Sequence, residues 1–143
     1  MAPTRRSGDR EREQAVYAAV KLTRDAIPES VTGLRHKAAA FATDRGAGPE
    51  LVDDVALAVS EIVTNAVKYA YETGTEGVVE LDASAAGGML DITIRDRGGG
   101  FGEGSTDGLG LGLAIVARLC DDLRIVQEGA GTEVRMRFAL PTD

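Results

Sequence analysis

Two hydrophobic periods alternate along this chain, and the switches between them mark its elements. Val16, Ala18, Val20 and Leu22 alternate with polar neighbours, which predicts a strand over 15–25. Pro28 suits a first helical turn, and Val31, Leu34, Ala38 and Phe41 then make the stripe of a helix that stops at Gly46. From Leu51 to Tyr71 the period is again helical, with Leu51, Val55, Ala58, Ile62, Ala66 and Ala70 on one face. Pro49 fits the first turn of that helix, Glu50, Asp53 and Asp54 complement its positive end, and Gly74 ends it. Period two returns in two strands, Gly77 to Ala85 and Met89 to Arg95, around a turn at Ala86-Gly87-Gly88. The second of these delivers Asp96 at its end. Leu113 to Leu119 reads as a third helix. Leu123 to Gln127 and Thr132 to Leu140 finish the chain as strands around a turn at Glu128 to Gly131. This order predicts an α/β two-layer sandwich, with helices on one face of a mixed, mainly antiparallel sheet.

The central helix carries a second face. Glu61, Asn65 and Lys68 stand at i, i+4 and i+7, within about 60° of arc on a regular helix, so they project together. An acid, a neutral amide and a cation in one row suit a metal and a polyanion. A solvated face stabilised by pairs three and four residues apart would look the same. His36 lies off the stripe of its helix and reads as an exposed bystander rather than a phosphoacceptor.

The totals narrow the choice. A chain of 143 residues fits one domain, here 15–140, between a charged arm over 1–14 that reads as disordered and a short tail over 141–143. A net charge of −7 argues against a nucleic-acid surface, which needs clustered Lys and Arg. No apolar run reaches the ~20 residues of a membrane span, and residues 1–14 lack the apolar core of a signal peptide. Cys120 is the one cysteine, which allows no internal disulfide and suits a cytoplasmic location; its apolar neighbours predict a buried thiol.

Between Gly98 and Gly112 stand eight glycines. Asp96-Arg97-Gly98-Gly99-Gly100 closes a strand, and Gly108-Leu109-Gly110-Leu111-Gly112 opens the helix that continues from Leu113. Glycine lets the backbone approach a ligand, and free N–H groups at a helix start bind phosphate. The segment lacks the context of a dinucleotide fold and the Lys-Ser/Thr of a Walker loop. Joined to the central helix it describes an ATP site. Asn65 offers a neutral oxygen to Mg²⁺, Lys68 neutralises phosphate, and Gly108 to Gly112 wrap the phosphates. Asp96 accepts from the adenine amino group, and Glu61 accepts a proton from an attacking hydroxyl.

These motifs resemble the GHKL superfamily of ATPases, which has the Bergerat fold and includes DNA gyrase and histidine kinases. Glu61-x-x-x-Asn65-Ala66 resembles its N-box, Asp96-x-Gly98-x-Gly100 its G1 box, and Gly108-Leu109-Gly110-Leu111-Gly112-Leu113 its G2 box. Gly131-Thr132 matches the place where the superfamily puts a threonine hydroxyl beside adenine. Within the superfamily the chain is most similar to bacterial anti-sigma-factor serine/threonine kinases. The features are a bare domain, the stretch Asn65-Ala66-Val67-Lys68-Tyr69-Ala70-Tyr71, and a lid of only Phe101 to Asp107. Tyr69 departs from the histidine frequent there. The resemblance implies a homodimer that holds a sigma factor and uses Mg-ATP to phosphorylate a STAS-type anti-anti-sigma protein. Two other functions compete: an ATP-dependent binding switch without kinase activity, and a detached histidine-kinase catalytic domain. Glu61 favours the kinase, because a pure binder needs no general base.

Overall fold

The structure, a computed structural model, describes residues 19–70, 77–98, 106–128 and 131–141. Strands β1 (Val20–Asp25), β2 (Val78–Ala86), β3 (Met89–Asp96), β4 (Asp122–Glu128) and β5 (Gly131–Ala139) form one sheet in the order β1-β2-β3-β5-β4. Helices α1 (Pro28–Asp44), α2 (Pro49–Asn65) and α3 (Thr106–Leu119) cover one face of it. The two-layer α/β architecture is therefore as the hydrophobic pattern requires. Every described strand pairing is antiparallel, where a mixed, mainly antiparallel sheet was expected. The first strand begins at Val20 rather than Ala15, and 15–18, the arm over 1–14, Gly100 and residues 101–105 of the lid lie outside the described residues.

The strand pattern decides which face is dry. Val79, Leu81 and Ala83 on β2, Leu90, Ile92 and Ile94 on β3, and Val134, Met136 and Phe138 on β5 are buried. They meet Leu34, Ala38 and Phe41 of α1 and Val55, Ala58, Val59, Ile62 and Val63 of α2. Burying one such side chain contributes roughly 1.5–3 kcal/mol, so this shared core fixes the register of the strands against the helices. The residues between them face the bare side, the one that no described helix covers, and many carry charge. Arg95 pairs with Asp82 and Glu133, Arg97 with Glu80, and Arg137 with Asp91.

Local chemistry ends the elements where the sequence places breakers. Gly87 and Gly88 have φ of 60° and 78°, a pair that only a two-residue hairpin of the primed type requires, and Ala86 pairs with Met89 across it. Gly46 ends α1 with φ 98°. Pro28 and Pro49 occupy the first turns of α1 and α2, and neither helix has a side-chain cap. No described helix is long and apolar enough to cross a membrane. Cys120 is half-buried rather than sealed in the core, and its thiol donates to the Val116 carbonyl at 3.2 Å. Burial pushes that thiol above its usual pKa. His36 is exposed on α1.

Two expectations about helices are corrected. The central helix is regular only to Asn65, and Ala66–Ala70 form a turn of π-helix. The third helix begins at Thr106, ahead of the glycines, so Gly108 to Gly112, expected to open the helix, lie within its first turns. Each glycine costs roughly 1 kcal/mol there relative to alanine. Burial of Val116 and partial burial of Leu113 and Leu119, with α3 packed beside α2, offset part of this cost.

Candidate nucleotide site

The candidate residues fall into two groups, one where α2 meets α3 and one at the paired ends of β3 and β5. In the first, α2 delivers Glu61 and Asn65 one turn apart, and α3 crosses close beside them. Asn65 is 5% exposed and Glu61 is half-buried. A methyl group built on Gly112 would lie 3.1 Å from Asn65 Nδ2 and 3.2 Å from Glu61 Oε2. Only a glycine lets the α3 backbone come so near both groups without displacing them. Asn65 Nδ2 is buried and has no hydrogen-bond partner among the described residues. An orphaned donor costs about 1–3 kcal/mol, so its place in an otherwise apolar helix face needs a reason other than stability.

Lys68 is not in line with this pair. It lies within the π turn, and its side chain is exposed. A π turn closes on i→i+5 bonds and advances each residue less than the ~100° of an α-helix, so the straight row expected for Glu61, Asn65 and Lys68 ends at Asn65. No period in the sequence announces such a turn.

In the second group, β3 and β5 place Asp96 opposite Thr132 in register. Both side chains belong to the face that the helices cover, and they are 7% and 3% exposed. Desolvation pushes the Asp96 carboxyl above its usual pKa, and the backbone N–H groups of Gly98 and Thr132 hold it back in part. The Gly98 N–H donates to Asp96 Oδ1 at 3.2 Å. Thr132 Oγ1 is a second buried polar atom without a partner among the described residues. A half-satisfied acid beside an unsatisfied hydroxyl suits a planar ligand with donors and acceptors along one edge.

Of the residues expected at the site, Glu61, Asn65 and Gly112 lie together where α2 meets α3, and Asp96, Gly98 and Thr132 lie together at the strand ends. Leu113 is half-buried at the start of the packed part of α3. Gly108, Leu109, Gly110 and Leu111 lie in the first turns of α3, where the backbone alone is described. Gly131, which the sequence places in the turn before β5 and beside Thr132 in the adenine motif, has no room for a side chain: a methyl group built on it would lie 2.7 Å from the Asp96 carbonyl oxygen. Its place immediately before Thr132 was the available signal. A cavity of about 270 Å³ opens at the same strand ends, lined by Asp96, Gly131 and Thr132 together with the charged Glu80, Arg95, Arg97, Glu133 and Arg135.

Known proteins are similar to this chain. Residues 25–138 match the family of histidine kinase-like ATPase domains. The chain is 30% identical to the serine-protein kinase RsbW of Bacillus licheniformis, over 82% of each protein. It is 31% identical to the anti-sigma F factor of Clostridium acetobutylicum, over 80% of this chain and 90% of that one. Among solved structures, the RsbU and RsbW domains of a Mycobacterium tuberculosis protein superpose with a TM-score of 0.68 at 27% identity. That match covers 85% of this chain and 32% of the longer solved one. Fold, motif residues and relatives agree: the chain belongs to the histidine kinase-like ATPase family, in the branch of the anti-sigma-factor kinases.

Proposed function

We propose that this chain is an ATP-dependent protein serine/threonine kinase that doubles as an anti-sigma factor. It works in the cytoplasm as a homodimer, holds a sigma factor, and phosphorylates a hydroxyl on a STAS-type anti-anti-sigma protein. The observation that carries the reading is the convergence of Glu61, Asn65 and Gly112, with the Asn65 amide buried and its donor unpartnered. The names of the relatives, a serine-protein kinase and anti-sigma F factors, support the choice of substrate and partner.

Each residue has a task in this reading. Asn65 would hold Mg²⁺ through its neutral amide oxygen, as a hard cation prefers. Gly98, Gly100 and the run Gly108 to Leu113 would lie along the phosphates, with Lys68 reaching in from its exposed position. Asp96 would accept from the adenine amino group, and Thr132 would place its unpartnered hydroxyl beside the same ring. When bound, Mg-ATP supplies the phosphoryl group and neutralises the charge that develops on it. Glu61 accepts the proton of the partner hydroxyl as it attacks.

Two substitutions on α2 test this. Asn65→Ala should lose Mg-dependent ATP binding and phosphorylation together. Glu61→Gln keeps the shape of the side chain and removes the base. It should keep ATP binding, while transfer from radiolabelled ATP to a STAS partner falls by about 10²–10⁴-fold. Wild-type labelling by Glu61→Gln would remove Glu61 as the base. A wild-type protein that labels no partner but binds a sigma factor only with nucleotide would be a binding switch instead.

A further inference from the structure

Gly131 is the first residue of β5, and nothing in its backbone conformation calls for glycine. The positive-φ glycines among the described residues are Gly46, Gly87 and Gly88. What Gly131 lacks room for is a side chain. The nearest atoms to a methyl group built there are the Asp96 carbonyl oxygen at 2.7 Å, the Arg97 Cα at 3.6 Å and the Asp96 carbonyl carbon at 3.7 Å. All three are backbone, so no side chain can swing aside to relieve the contact.

The neighbourhood makes this spacing matter. Thr132 pairs with Asp96 on one side and with Gln127 on the other, so the start of β5 is held between β3 and β4. Behind it, on the bare face, Arg95 joins Asp82 of β2 to Glu133 of β5 and draws these strands together at the same end. The paired strands can close at this point because residue 131 has no Cβ. The close approach sets the buried Asp96 carboxyl and Thr132 hydroxyl on one face at the paired ends of these strands.

We propose that Gly131 is a positioning residue for base recognition: its missing side chain sets the separation of β3 and β5 at which Asp96 and Thr132 read the adenine edge together. The inference rests on the assignment of these strand ends to adenine. An alanine at 131 would need the strand ends to part by about 0.7 Å to reach ordinary contact, on the scale at which misplacement of a reading group costs up to a hundredfold. The disturbance stays local, because the β3–β5 ladder continues from Ile94 opposite Val134 to Met89 opposite Ala139.

Calorimetric titration with Mg-ATP and Mg-ITP tests the proposal, since inosine lacks the amino group that the Asp96 carboxylate accepts from. Wild type should prefer ATP by about tenfold to hundredfold. Gly131→Ala should fold cooperatively and bind both nucleotides with less than about threefold preference, weakening ATP rather than ITP. Gly33→Ala, a glycine with open space around it on α1, should keep the wild-type preference. A Gly131→Ala protein that keeps the preference overturns the proposal. So does one without a cooperative thermal transition, because the glycine would then serve the fold and not the site. A second variant, Gly131→Ser, brings the same Cβ against the Asp96 carbonyl and must lose the preference too. Wild type without any preference for ATP would overturn the adenine assignment itself, a distinguishable result.

Discussion

Asp96→Asn separates binding from stability because the two effects have opposite signs. The carboxyl is buried, and desolvation holds its pKa above the ordinary value in the folded chain. Ionised Asp96 therefore costs stability at neutral pH, and the cost is relieved as the pH falls through the folded pKa. Asparagine does not ionise, fills nearly the same volume, and keeps an oxygen for the Gly98 N–H that now donates at 3.2 Å. The variant should melt no lower than wild type at pH 7.5, and any advantage should shrink on acidification. Nucleotide binding should move the other way. A buried hydrogen bond to a charged group contributes about 1.5–3 kcal/mol, so losing the carboxylate should weaken ATP by about tenfold to hundredfold. The ratio of wild-type to variant affinity should also fall as the pH drops through the raised pKa of Asp96, since protonated Asp96 no longer accepts on both oxygens. Titration calorimetry over pH 5 to 8, beside thermal melts of the same samples, measures both. Equal ATP affinity in the two proteins, or a variant that melts well below wild type at neutral pH, would refute this reasoning.

Other parts of the molecule give further tests. Gly112→Ala places a methyl group 3.1 Å from Asn65 Nδ2 and 3.2 Å from Glu61 Oε2, both movable ends, so the fold should hold while Mg-ATP affinity falls by roughly tenfold in the same titration. Phe138 is fully buried at the centre of the core, and Phe138→Ala should cost about 3–5 kcal/mol in urea unfolding. Cys120 has a raised thiol pKa and a bond to the Val116 carbonyl, so alkylation at pH 7.5 should run at least about tenfold slower than in urea-unfolded chain. Equal rates would mean that the thiol is open to solvent.

The sequence by itself determined the elements and placed the candidate residues on them. Alternation in Met89 to Asp96 and the stripe from Val55 to Ile62 specify which faces are dry, because burying the wrong face would leave charges such as Asp82 and Arg95 without water or partners. The acid–amide spacing of Glu61 and Asn65 needs only a helix to bring the two groups together, and Asp96 needs only a strand end. Tertiary structure decided what depends on contacts between distant segments. The π turn that takes Lys68 off the row has no periodic signature, because a single wide turn changes one step in an otherwise helical pattern. The helical state of Gly108 to Gly112 runs against local propensity and follows from packing of α3 beside α2. The role of Gly131 was invisible for the same reason. A glycine in a turn and a glycine kept bare by a neighbouring carbonyl look alike in sequence, and only the approach of β3 to β5 distinguishes them.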